Sequence, residues 1–175
     1  IKTSLLIFLH LRGLITLSRN YVPAGLLKNP IHFLSLGFGS GLSPYAPGTF
    51  GTLAAVPLYF LIQPLSLPIY LLITFVALVA GFYLCEQTAR ALGVHDHGGI
   101  VWDEIVGYFI TMIAVPFDWK WIVLGFILFR IFDIWKPWPI KWIDSKVSGG
   151  LGIMLDDVLA GIFALIGLHL IIMFY

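Results

Sequence analysis

The stretch GGLGIMLDDVLAGIFALIGLHLIIMFY, residues 149–175, decides how the chain is read. Beyond Asp157 it stays apolar to its last residue, with His169 the one strongly polar interruption. A run of that length reads as a membrane-spanning helix. At its mouth stand two adjacent carboxylates, Asp156 and Asp157. Ionisable groups at the edge of a bilayer are costly, so a functional site is the default reading, and grouped carboxylates point to a hard divalent cation. Asp156 alone would be explained as a helix N-cap; Asp157 would not.

The rest of the sequence agrees with this solvent. It is 59% hydrophobic and 11% charged, with mean hydropathy +0.98, against about 25% charged residues in soluble domains. These values describe an integral membrane protein, and the 175 residues suit a single domain, with 1–28 as a peripheral N-terminal segment. The formal net charge is +1 and the basic residues are scattered, so no nucleic-acid partner is expected. The single cysteine, Cys85, excludes an internal disulfide framework and cysteine-based zinc clusters. An initiator methionine or short tail is expected ahead of Ile1. Residues 1–17 do not read as a cleavable signal, because His10 and Arg12 interrupt the run and no small-residue cleavage site follows.

Five apolar runs stand out, at 49–63, 67–85, 105–117, 120–134 and 158–175. The expected fold is therefore all-α: a polytopic membrane helical bundle of about five membrane-embedded helices, with interfacial N-terminal helices over 3–18 and 29–38. If each run crosses once, residues 1–48, 86–104 and 135–157 share one side. That side carries Lys2, Arg12, Arg19, Lys28, Arg90, Lys136, Lys141 and Lys146, and the positive-inside rule makes it cytoplasmic. Glu86, Asp96, Asp103, Glu104, Asp133, Asp156 and Asp157 then meet in one layer. Trp119, Trp121, Trp135, Trp138 and Trp142 read as interfacial anchors.

Four blocks carry candidate chemistry. GFGSGLSPYAPGTFG, residues 37–51, is either a turn with Thr49 as helix cap or a loop whose backbone N–H groups meet an anion at a helix N-terminus. It lacks the Gly-Lys-Ser/Thr ending of a P-loop. HDHGGIVWDE, residues 95–104, holds His95, His97, Asp96 and the pair Asp103-Glu104; its histidines read as a solvated loop or as acid–base groups. In RIFDIWKP, residues 130–137, Arg130 and Asp133 form a helical ion pair or a cationic partner for a negatively charged substrate that Lys136 would share. The fourth block is GGLGIMLDD itself. Cys85 and Arg90 have the wrong spacing for a cysteine phosphatase loop, so metal-activated water is the economical hydrolytic mechanism.

Taken in order, GSGLSPYAPGTFGTL, the acid-Gly-Gly stretch ending VWDEIVG, RIFDIWKPWPI and GGLGIMLDDVLAG resemble the phosphatidylglycerophosphatase A family, over about residues 29–165. The resemblance implies a Mg²⁺-dependent bacterial enzyme that removes the terminal phosphate of phosphatidylglycerophosphate at the cytoplasmic face of the inner membrane. It implies that Asp103, Glu104, Asp156 and Asp157 hold one or two Mg²⁺, with Glu86, Asp96 and Asp133 as further ligands. Thr49, Arg130 and Lys136 would hold the phosphate, Lys136 also acting in catalysis, while Ser40 and Ser43 contact the glycerol. The lipid substrate and surrounding membrane lipids are the expected partners. The alternative is a cation-coupled membrane transporter, which would carry acids near the bilayer midplane and an internal repeat.

Overall fold

The computed structural model describes residues 22–94 and 97–175. The helix expected over 3–18 lies outside the described residues. All regular structure among them is helical: α1 (Pro30–Ser35), α2 (Pro47–Ile62), α3 (Leu67–Leu92), α4 (Trp102–Thr111), α5 (Trp119–Trp135), α6 (Ile140–Lys146) and α7 (Gly149–Phe174), with 3₁₀ turns at Ala24–Lys28 and Gly37–Leu42.

Local chemistry sets the boundaries. Pro30, Pro47 and Pro68 lie in the first turns of α1, α2 and α3, where proline has no intrahelical donor to lose. Asn29 Oδ1 accepts the Ile31 N–H at 3.0 Å, and Asp118 Oδ1 accepts that of Lys120 at 3.1 Å; both are side-chain N-caps. Gly93, with φ 69°, closes α3 in the left-handed conformation that glycine tolerates best.

The helices alternate in direction. Tyr59, Gln63, Leu65, Leu67, Tyr70, Met112, Ala114 and Val115 line a small cavity, which joins the α2–α3 and α4–α5 loops at one end of the bundle. Lys120 lies over the Tyr175 ring at 4.1 Å, so the start of α5 and the end of α7 meet there too. The termini that carry the four sequence blocks gather at the opposite end.

Among the described residues two helices, α3 and α7, are long and apolar enough to cross a membrane, with mean hydropathies of 2.2 and 2.3 over their most apolar windows, and most of those windows face outward. The other apolar runs fold differently from five equal spans. Helix α2 has 16 residues and α5 has 17, about 24–26 Å at 1.5 Å per residue. The run at 105–117 departs furthest. Its helix α4 has only 10 residues, about 15 Å, and the turn that follows it holds Ala114 at φ 56°. Ile105, Val106 and Tyr108 are fully buried, so this apolar surface faces protein.

Two interior positions explain the depth of α4. Trp102 Nε1 donates to the carbonyl of Ala77 at 3.0 Å, so α4 begins beside the middle of α3. A side chain at Gly161 would meet the Gly107 carbonyl at 2.5 Å, and one at Gly107 would meet the Asp157 carbonyl at 2.9 Å. The absence of side chains here lets α4 and α7 lie almost backbone to backbone. The contact brings the first turn of α4 against Asp157.

Candidate metal centre

Asp103 and Glu104 occupy the first turn of α4, where the helix dipole favours carboxylates. Asp157 reaches them from α7. One oxygen from each of the three lies within 4.8 Å of the others, and they are 9% (Asp103), 12% (the Glu104 side chain) and 3% (Asp157) exposed. Asp103 Oδ1 and Glu104 Oε2 are buried with no hydrogen-bond partner. Asp133, from the last turns of α5, lies beside Asp157 as a further like charge. Buried carboxylates in such proximity repel one another unless a cation or proton offsets them. Unpartnered hard oxygen donors of this kind fit Mg²⁺ or a similar divalent ion better than a soft metal.

One cation borders this group, and a second pairs with Asp156, the neighbour of Asp157. Arg130 Nη1 lies 2.5 Å from Asp133 Oδ2 and 3.9 Å from Glu104 Oε1, and its Nε is buried without a partner. The side chain is both the helical ion pair that i,i+3 spacing allows and a neighbour of the carboxylate trio. Lys136 ends α5 in a left-handed conformation at φ 45°. Its Nζ spans Asp144 Oδ1 at 2.8 Å and Asp156 Oδ2 at 2.6 Å. Partial burial pulls the Lys136 ammonium down, but Asp156 and Asp144 outweigh that effect and hold it above its ordinary value, so it stays protonated.

Asp156 is not an N-cap. Helix α7 begins at Gly149, which places the acid pair about two turns inside it. Adjacent positions diverge on a helix, and Asp157 enters the trio while Asp156 turns to Lys136.

The Gly-rich block contributes differently from the sequence expectation. The N-cap position of α2 is Ala46, which supplies no side-chain cap, and Thr49 lies in the first turn, its N–H donating to the Ala46 carbonyl at 2.9 Å. Thr49 is therefore not the cap. Gly48 and Thr52 make the inward contacts. A Cβ on Gly48 would strike Glu104 Oε1 and come within 3.1 Å of Arg130 Nη1. Thr52 Oγ1 donates to the Gly48 carbonyl at 2.9 Å and lies 3.5 Å from Arg130 Nη1. Ser43 Oγ donates to the Tyr45 carbonyl at 2.8 Å, within its own turn. Ser40 Oγ is buried without a hydrogen-bond partner.

Glu86 is engaged elsewhere. Its Oε1 pairs with Arg90 Nε at 2.6 Å, and its Oε2 accepts the Gly150 N–H at 2.6 Å, so it serves the N-terminus of α7 from α3. His97 is buried, and its Nδ1 accepts the Gly99 N–H at 3.0 Å; this is a turn contact, not a solvated loop. Asp96 and His95 lie outside the described residues. Cys85 is fully buried, with Sγ 3.7 Å from the sulfur of Met154.

Gly48, Thr52 and Asp144 were missed as site neighbours. Thr52 carried a signal, since it directly follows the block that holds Thr49. Asp144 was the remaining acid on the same side of the bundle.

Comparisons with known proteins identify the family. The family model described as PgpA, phosphatidylglycerophosphatase A, matches residues 33–172. The chain is 53% identical over 139 residues to phosphatidylglycerophosphatase A of Escherichia coli (strain K12), covering 79% of this chain and 81% of that protein. It is 53% identical over 142 residues to phosphatidylglycerophosphatase A of Haemophilus influenzae, covering 80% and 87%. No solved structure matches.

Proposed function

The chain belongs to the phosphatidylglycerophosphatase A family, and on that footing we propose that it hydrolyses the terminal phosphate monoester of phosphatidylglycerophosphate, yielding phosphatidylglycerol and inorganic phosphate. The observation that carries this reading is the buried trio Asp103, Glu104 and Asp157 beside Arg130, with Lys136 paired to the adjoining Asp156. Anionic ligands alone would repel a phosphate. A cation held by the carboxylates, with a guanidinium and an ammonium at its border, reverses the sign of the field.

Asp103, Glu104 and Asp157 would hold Mg²⁺, with Asp133 and Asp156 as further candidate ligands. When bound, the ion supplies charge neutralisation of phosphoryl oxygens and activation of water. Arg130 offers fork-shaped donors to the phosphate, fixed by Asp133 and by the close approach of Gly48 and Thr52. Lys136, released from Asp156 as the substrate enters, carries the second positive charge. In the reaction a water oxygen bonds to phosphorus and the bond from phosphorus to the glycerol oxygen breaks. The glycerol oxygen takes a proton, and the phosphate leaves. Buried Cys85 takes no part.

Vesicles containing phosphatidylglycerophosphate should release inorganic phosphate, with phosphatidylglycerol appearing in equal amount, when the reconstituted protein and Mg²⁺ are present. Ion flux without phosphate release would instead favour transport, which the relatives do not support.

We further read the bundle as multi-pass, with α3 and α7 crossing, α2 and α5 embedded over a thinner layer, and α4 enclosed by them. Among the described residues, Lys28, Arg90, Arg130, Lys136, Lys141 and Lys146 belong to the end that holds the carboxylates, and Lys120 to the other. The positive-inside rule makes the carboxylate end cytoplasmic. Cysteines placed at Ser43 and Ser148 in a Cys85→Ala background should react with an impermeant thiol reagent only from the cytoplasmic side, and one at Ser66 only from outside. Labelling of Ser43 and Ser66 positions from the same face would remove this topology.

A further inference from the structure

The hinge from the end of α5 through α6 presents an unusual surface. Ile134 is 70% exposed, Trp135 72%, Trp138 82% and Trp142 55%, and exposed Lys141 and Lys146 flank the last tryptophan. The segment is nevertheless anchored. Ile140 is fully buried in the main core, and Asp144 is tied through Lys136 to Asp156. Asp144 shares the one Lys136 ammonium with Asp156, so on the outer face Lys141 and Lys146 outnumber one partly offset carboxylate. Large amphipathic indoles at an apolar–aqueous boundary prefer the headgroup layer, and lysines there attract anionic lipid.

We propose that α6 is an anionic-lipid docking surface that gathers negatively charged headgroups beside the mouth of the carboxylate site. This rests on the membrane reading given above and adds a second lipid contact, separate from the metal centre. The tryptophans fix the depth of the segment and the lysines select the lipid by charge. Its connection to the site is short, because one ammonium, Lys136, touches both α6 and Asp156.

The test uses the full chain in vesicles and needs no turnover. Brominated lipids quench nearby tryptophans, so quenching is compared between brominated phosphatidylglycerol and brominated phosphatidylcholine at equal mole fraction. The anionic lipid should quench about twofold more. The double variant Lys141→Gln/Lys146→Gln should remove that excess, and the triple variant Trp135→Phe/Trp138→Phe/Trp142→Phe should remove the quenched signal that carries it. Equal quenching by the two lipids in the unaltered protein would overturn the proposal. So would an excess that survives either variant. Circular dichroism checks that the variants, all at exposed positions, keep their helices. Vesicle phosphate release is measured separately, so an inactive protein with intact lipid selectivity would count against the phosphatase reading alone.

Discussion

Asp157→Asn is expected to lower the rate of phosphate release from lipid vesicles at least about 100-fold while leaving the helices intact. Asp157 is 3% exposed and is the carboxylate that α7 brings to the first turn of α4. Asparagine keeps its volume and one carbonyl oxygen but removes the charge. The fold should tolerate the change, because the native cluster packs like charges that repel in the absence of a cation. The close contact of Gly107 and Gly161, which positions the residue, is untouched. Turnover, helicity and thermal unfolding measured on one preparation decide the matter. Activity within about threefold of the unaltered protein would remove Asp157 from the site. Loss of helicity would instead assign it a structural role.

Chelation should bring phosphate release to background, and Mg²⁺ added in excess of the chelator should restore it. The expectation follows from charge. Asp103, Glu104, Asp157 and Asp133 crowd one region, while Arg130 is already neutralised by Asp133 and Lys136 lies between Asp144 and Asp156. Without a divalent ion the region repels a phosphate monoester. Full activity in excess EDTA would contradict this arrangement, as would a covalent phosphate adduct stable to denaturation. Cys85, the one cysteine, is sealed in the core against Met154 and is not accessible to form such an adduct.

The gathering of acids at one end of a helical bundle was legible in the sequence, because alternation of apolar runs leaves few ways to arrange their ends. Helix boundaries were less legible. The apolar run at 158–175 begins after the acid pair, but backbone hydrogen bonding extends α7 back to Gly149, so Asp157 stands inside the helix. The 105–117 run shows a different limit. Hydropathy does not distinguish a surface that faces lipid from one that faces protein, and Ile105, Val106 and Tyr108 face protein.

Individual site residues divided along similar lines. Asp103, Glu104 and Asp157 converge, while Glu86 is committed to Arg90 and Gly150, partners that lie four residues away and on another helix. The i,i+4 spacing disclosed the first partner; the second depends on tertiary packing. Thr49 reads from sequence either as a cap or as a phosphate contact, because it precedes an apolar run. The turn at Ala46 starts α2 earlier and turns Gly48 and Thr52 inward toward Arg130. The Lys136–Asp144 pair was hidden because it depends on a left-handed turn at a lysine, a conformation local sequence preference disfavours.

The most direct measurement is a titration of the metal-free protein with Mn²⁺, a paramagnetic ion that shares the preference of Mg²⁺ for carboxylate oxygens. Electron paramagnetic resonance reports the free ion. The unaltered protein should take up Mn²⁺ at a site from which Mg²⁺ displaces it, and Asp103→Asn and Asp157→Asn should each weaken that uptake at least about tenfold. Uptake unchanged in both variants, or none by the unaltered protein, would contradict a divalent-cation centre built from Asp103, Glu104 and Asp157.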